Sequence, residues 1–190
     1  MKTFALAAGF LSSWFLPLVT AQTAHPGVNA DSSIVADFQK RVADYLHLRK
    51  AIEAKLPALK ATASPENISH HEDELGRMVR EARKDASEGA IFTPVISREI
   101  RRLLAIAMEP GDGDAKRIRE SLRHAEPVQL RLNVNDSYPA QVPLQSTPPT
   151  VLANLPELPS EIEYRITGRD LVLLDTKANL VIDVMTGVFS

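Results

Sequence analysis

The densest group of side chains that could perform chemistry is the run His70-His71-Glu72-Asp73-Glu74. Imidazole nitrogens and carboxylate oxygens bind divalent metal ions, and a helix would place the first and last of these residues one turn apart on one face. A tight site needs three or four ligands, and the H-E-x-x-H pattern of zinc peptidases is absent. The run therefore favours an acidic first part of a solvated helix, which the helix dipole stabilises, over a metal site.

Residues 109–120 have the length of a calcium-binding loop and contain Asp112 and Asp114. The third and fifth positions of such a loop would be Gly111 and Gly113, which offer no side-chain ligand. The sixth position, where glycine is required, would be Asp114. The comparison fails, and an aspartate here is better interpreted as a helix cap.

Signatures of common enzymes are also missing from the sequence. It contains neither a G-x-S-x-G elbow nor S-x-x-K, and it has no cysteine that could act as a nucleophile. Neither a G-x-G-x-x-G loop nor a Walker loop occurs, so no phosphate-binding loop is predicted. We therefore predict no catalytic residue, no cofactor-binding residue, no metal site and no cofactor. Enzymatic activity stays uncertain, and a non-enzymatic protein is favoured.

Basic residues recur on three predicted helices, and if their faces converged they could bind an anionic polymer or lipid headgroups. Acidic residues are interleaved with them, which favours ordinary solvated faces with ion pairs. The whole chain has 22 basic and 24 acidic residues, a near balance that argues against nucleic-acid binding. The basic residues concerned are Arg77, Arg80, Arg83, Lys84, Arg98, Arg101, Arg102, Lys116, Arg117, Arg119 and Arg123.

The first 21 residues have the pattern of a cleavable secretory signal, which is favoured over an uncleaved N-terminal anchor. Lys2 supplies a positive charge, an apolar run extends from Phe4 to Val19, and small residues precede a cleavage site near Ala21. The mature chain would carry 21 basic and 24 acidic residues, a net charge of −3. The apolar run is short of the length of about 20 residues that spans a bilayer, and no later segment is long and apolar enough. Without cysteine, the fold must depend on the hydrophobic core. We expect an exported protein, periplasmic or secreted.

The middle of the chain has the pattern of an antiparallel helical bundle. Residues 22–32 form a flexible lead, and residues 33–126 form the helical domain with three or four helices. The first helix is predicted to begin after Ser32 and Ser33, either of which could cap it, and to end at Pro57. Its apolar stripe contains Ile34, Phe38, Val42, Tyr45, Leu46, Arg49, Ile52 and Leu56.

Two further helices begin with a capping residue followed by proline, and a shorter one follows. One begins at Ser64-Pro65 and ends at Gly89, with Ile68, Leu75, Met78, Val79, Ala82 and Ala86 facing inward. The next begins at Thr93-Pro94, with Val95, Ile96, Ile100, Leu103, Leu104 and Ala107 facing inward. A fourth is predicted from Ala115 to His124.

Residues 127–160 are predicted to form a strand and then a connector. Val128, Leu130, Leu132 and Val134 alternate with polar residues, as in a half-buried strand. Residues 135–160 contain six prolines, which remove ladder donors and favour an extended surface connector.

Residues 161–190 have the pattern of a three-stranded antiparallel meander, so the predicted fold class is α+β. Gly168 and Asn179 suit the two tight turns between strands. The middle strand, Leu171–Leu174, is apolar on both faces and needs cover on each side. The helices would cover one face, and either the connector or another protein would cover the second.

The same C-terminal residues resemble a family of small exported bacterial proteins of uncharacterised activity. The likeness rests on Glu163-Tyr164-Arg165, Gly168-Arg169-Asp170-Leu171, Leu173-Leu174-Asp175 and Ala178-Asn179-Leu180 through Asp183. Phe38, Tyr45, Leu48-Arg49 and Ile91-Phe92-Thr93-Pro94 in the helical part are similar as well. The resemblance implies a bacterial envelope or secreted location and transfers no catalytic residue.

We expect a non-enzymatic exported protein that acts through protein–protein interaction at the meander, with an envelope protein or a second copy of itself as partner. Exposed strand edges invite strand addition. The candidate interaction surface is Tyr164, Arg165, Arg169, Asp170 and Asp175.

Two alternatives stay open at this point. The charged members of that set could instead pair across turns and cap loops. The chain could also be an enzyme, or a protein that binds a small ligand or a metal weakly, in a cleft between bundle and meander. His71, Glu74 or His124 would then be the acid–base or metal groups.

Overall fold

The computed structural model describes residues 32–60, 64–108, 116, 120, 130–139, 141–142 and 147–189. The predicted signal, nearly all of the predicted lead, and the predicted fourth helix apart from Lys116 and Glu120 lie outside these residues. In the described part, three long helices precede a three-stranded antiparallel sheet, which confirms the α+β class.

Helix α1 spans Ser32–Glu53, and its predicted stripe is confirmed. It ends shortly before Pro57, whose ring disfavours helical geometry at the preceding residue. The residues that α1 buries are Phe38, Val42, Tyr45, Leu46, Arg49 and Ile52. Arg49 belongs to this buried face although its side chain carries a charge.

Helix α2 spans Pro65–Ala82, and the Ser64 hydroxyl caps it by accepting a hydrogen bond from the Asn67 N–H at 3.4 Å. The prediction extended this helix to Gly89. It ends earlier: the backbone of Arg83 leaves helical geometry (φ −116°, ψ 22°), and its carbonyl accepts from the Ala86 N–H and from the Asn135 side chain, both at 2.8 Å. The inward assignments of Ile68 and Ala82 are wrong, since both residues are exposed.

Helix α3 spans Pro94–Ala107, and the Thr93 hydroxyl accepts from the Ile96 N–H at 3.4 Å. Four of its predicted inward residues are buried: Ile96, Ile100, Leu103 and Leu104. Val95 is 48% exposed, which corrects its inward assignment. Both α2 and α3 contact α1.

The strand predicted before Val134 is wrong in its described part, residues 130–134. Asn135 adopts a left-handed conformation (φ 72°), and the N–H of Asn133 donates to the Asp136 side chain at 2.7 Å, so the chain turns here. The described residues of this segment form an isolated bridge with the sheet, between Ser137 and Leu180, instead of a strand. The connector also holds a one-turn helix, α4, at Pro149–Leu152.

The predicted meander is confirmed. Strand β1 spans Ile162–Thr167, β2 Asp170–Asp175 and β3 Leu180–Met185, in the order β1-β2-β3 with antiparallel pairing. Gly168 (φ 60°) and Asn179 (φ 42°) take left-handed conformations in the two turns, as their types predict.

Both faces of the sheet are buried. Leu171 and Leu173 pack in one core with α1, α2 and α3. Val172 and Leu174 point to the opposite face, where Leu132 and Tyr138 cover them. The chain itself, through Leu130, Leu132, Tyr138 and Val142, therefore supplies the second cover, for which the sequence left the connector and a partner as alternatives.

Candidate interaction site

A groove of about 530 Å³ lies beside β1, where the chain passes from α4 into the strand. Side chains in β1 point alternately to the two faces of the sheet. Ile162, Tyr164 and Ile166 belong to the core with the helices, whereas Glu163 and Arg165 on the other face are half-buried. The groove is lined by Thr147, Leu152, Leu155, Pro156, Glu157, Leu158, Ile162, Glu163, Tyr164 and Arg165. It combines leucines with three charged side chains.

Tyr164 borders this groove but belongs to the core, which corrects its assignment to the interaction surface. Its ring stacks on Phe38, with centroids 6.4 Å apart and planes 9° apart. Its hydroxyl donates to the carbonyl of Pro156 at 3.0 Å, and burial raises its pKa. The side chain thus fastens the connector to β1.

Arg165 lies between two pockets. Its guanidinium pairs with the carboxylate of Glu163, and 18% of its side chain is exposed. Its Nε is buried without a hydrogen-bond partner among the described residues. On the far side of Arg165 lies a pocket of about 250 Å³ that Tyr138 and Leu174 also line. Arg165 remains a candidate for partner binding.

Arg169 and Asp170 lie at the β1–β2 turn. Asp170 Oδ1 accepts a hydrogen bond from the Gly187 N–H at 2.7 Å. The Arg169 carbonyl accepts from the N–H groups of Val188 (2.8 Å) and Phe189 (3.1 Å), while its side chain is exposed. Asp170 therefore stabilises a turn, as one alternative predicted.

Asp175 is fully buried, so its assignment to a binding surface is wrong. Its Oδ2 accepts from the Tyr45 hydroxyl at 2.6 Å and lies 3.2 Å from Nε of Arg49. Its Oδ1 accepts from the N–H groups of Lys177 (2.9 Å) and Ala178 (3.1 Å). The carboxylate joins α1 to the β2–β3 turn.

A second buried carboxylate, Asp183 in β3, was missed by the sequence reasoning. It accepts hydrogen bonds from the N–H groups of Gly89 (2.9 Å), Ile91 (2.6 Å) and Phe92 (2.7 Å). These residues form the loop between α2 and α3, so Asp183 fixes the entry to α3. Its position in an otherwise apolar strand was the available signal.

Several of the recurring arginines bind the chain itself. Arg80 donates to the Asn135 carbonyl at 2.8 Å, and Arg83 donates to the Ile182 carbonyl at 2.8 Å. Arg101 donates to the carbonyls of Thr186 (2.7 Å) and Gly187 (2.9 Å). Hydrogen bonds within the protein, rather than a shared anion-binding surface, account for these three residues.

Both edges of the sheet are partly closed. On β3, Val181 donates to the Asp136 carbonyl and accepts from the Asn135 N–H, both at 2.8 Å. On β1, the Tyr164 carbonyl accepts from the Thr147 hydroxyl at 2.8 Å. Strand addition would have to displace these contacts, so the premise of an open edge is not supported.

The alternative hypothesis placed His71, Glu74 or His124 in a cleft between the bundle and the meander. His71 and Glu74 line one groove, but it lies between the α1–α2 connection and α2 rather than against the meander. His124 lies outside the described residues. Where side chains are described, no group of three or more metal-ligating residues occurs.

No helix among the described residues has the length and apolar character needed to cross a membrane. No protein-family model, curated protein or solved structure matches this chain.

Proposed function

We propose that this protein is exported and acts without catalysis, by binding another protein of the cell envelope in the groove beside β1. The proposal depends on one observation: Leu152 is 43% exposed at a groove that Leu155 and Leu158 also line. Apolar side chains grouped at a recess are typical of contact sites, where an anchor residue of the partner becomes fully desolvated.

The charged side chains of the groove indicate which kind of partner segment would bind there. The groove carries Glu157, which is exposed, as well as Glu163, whose charge Arg165 compensates. A partner segment with apolar anchor residues and one basic residue would complement the groove, because the basic side chain could pair with Glu157.

The export that we propose has its own test. Cleavage near Ala21 would release a chain that begins at Gln22. In this chain the helices would form the antiparallel bundle expected from the sequence. N-terminal sequencing of protein recovered outside the cytoplasm should read Gln22 first. Recovery of the chain only inside the cytoplasm, with Met1 intact, would overturn the proposed export.

The binding site is tested by placing a photo-crosslinking residue at position 152 in living cells. Position 95 is the matched control, because Val95 is 48% exposed and lies outside the groove. We expect one discrete adduct from position 152 and none from position 95. The same adduct from both positions, or none from either, contradicts the proposed site.

The crosslinked protein, once identified by mass spectrometry, is then titrated with the purified chain. Leu152→Asp should raise Kd at least about tenfold, which corresponds to about 1.4 kcal/mol, whereas Val95→Asp should leave it unchanged. An adduct between two copies of this chain, with a dimer in light scattering, would replace the envelope partner by self-association.

A further inference from the structure

A second groove, of about 380 Å³, lies where the chain leaves α1 and enters α2. Leu56, Pro57 and Leu59 supply apolar lining from the connection. Asn67 and His71 contribute polar groups from the first half of α2. The volume is at the lower end of the range of about 300–1,000 Å³ for small-ligand pockets.

Glu74 also lines this groove, but its negative charge is compensated from outside. Its two carboxylate oxygens accept hydrogen bonds from Nε (2.9 Å) and a terminal nitrogen (2.7 Å) of Arg77. These hydrogen bonds are the main reason that the pKa of Glu74 is lowered, so it stays ionised and paired. With both oxygens engaged, Glu74 is a poor metal ligand here.

The remaining polar side chains of the groove can donate hydrogen bonds. Lys60 carries a positive charge, and His70, His71 and Asn67 offer N–H groups. Asn67 and neutral histidines can also accept, so the positive charge of Lys60 is what favours an anionic group. The apolar side chains of the connection favour a hydrocarbon chain beside it.

We propose that this groove binds a small aliphatic carboxylate. The carboxylate would accept hydrogen bonds from Lys60 and the histidines, while its chain packs on Leu56 and Leu59. This site is separate from the groove beside β1, so its failure leaves the proposed function intact.

The test is a titration of the isotope-labelled mature chain with octanoate, followed by amide chemical shifts. Octylamine, which has the same chain length and the opposite charge, is the matched ligand control. We expect saturable shifts at residues 56–60 and 67–74 with octanoate, with a Kd on the order of 1 mM, and none with octylamine. Equal shifts with both compounds, or no shifts with octanoate, would overturn the proposal.

Charge reversal at Lys60 gives a second readout. Lys60→Glu should raise the Kd for octanoate about tenfold, because it replaces the attractive charge by a repulsive one. Lys84→Glu is the control, since Lys84 is exposed and lies outside the groove. Equal Kd values for the two variants would contradict a role for Lys60, and shifts concentrated around Leu152 would move the ligand to the other groove.

Discussion

Arg49 and Asp175 form an ion pair in the protein interior, with 3.2 Å between Nε and Oδ2 and neither side chain exposed to solvent. The contact lacks hydrogen-bond geometry at Nε, but the guanidinium also pairs with Glu53 at 2.9 Å and Glu161 at 3.4 Å. Three carboxylates from different parts of the chain therefore surround one buried cation. The arrangement ties α1 to both the beginning of β1 and the end of β2.

Asp175→Asn should destabilise the protein by about 3–5 kcal/mol, because it removes a charge that compensates buried Arg49. Urea unfolding at neutral pH measures the change. Asp44→Asn is the control: its ion pair with Lys40 is largely exposed, so the expected cost is below about 1 kcal/mol. Similar costs for the two variants would show that the buried pair contributes little.

Gly76→Ala should destabilise the protein although alanine is the better helix former. A Cβ at this position of α2 would lie 2.6 Å from the backbone carbonyl oxygen of Ala178, so the helix or the β2–β3 turn must shift. We expect a loss of about 1–3 kcal/mol in urea unfolding. Without the close contact, the same change would stabilise the helix by roughly 0.5–1 kcal/mol, so the sign of the effect decides.

Asp183→Asn should loosen the loop between α2 and α3. The amide side chain keeps one acceptor oxygen, whereas the carboxylate accepts from Gly89 through one oxygen and from Ile91 and Phe92 through the other. Hydrogen exchange should therefore accelerate at these three backbone amides before it accelerates in α1. Uniform acceleration across the whole chain would indicate global destabilisation instead.

Stability should fall as the pH rises above about 10. Burial, together with Asp175, raises the pKa of Tyr45, and burial raises that of Tyr164. Between about pH 10 and the raised pKa of the folded state, the unfolded chain loses tyrosine protons that the folded chain keeps. The free energy of unfolding therefore falls with pH, by about 1.4 kcal/mol per pH unit for each tyrosine. Tyr45→Phe should reduce this slope in urea unfolding at pH 9–11. An unchanged slope would contradict the buried, protonated tyrosine.

Much of the fold could be predicted from local patterns. Ser64 and Thr93, each followed by proline, marked the starts of two helices, and Gly168 and Asn179 marked the turns of the meander. The strand predicted from Val128 to Val134 is wrong in its described part. Alternating apolar and polar residues also occur in a loop that covers a sheet, as the segment containing Leu132 does.

The candidate site was harder to predict because charge alone does not show exposure. Asp175 resembled a surface residue in the sequence, but its partners Tyr45 and Arg49 lie far away along the chain. Arg49 offered a clue, since it falls in the apolar stripe of α1. The groove beside β1 forms where residues 147–158 lie against the strand. No local sequence pattern specifies this placement.

The separation of 130 residues between Tyr45 and Asp175 also affects how the chain folds as it is synthesised. Helix α1 is made early, but its buried cation lacks its carboxylate from β2 until the end of that strand has been translated. Contacts of such long range form slowly, and until they form the part of α1 that packs against the sheet stays accessible to chaperones and proteases. Tyr45 and Arg49 of the nascent chain therefore lack their shared partner until Asp175 has been added.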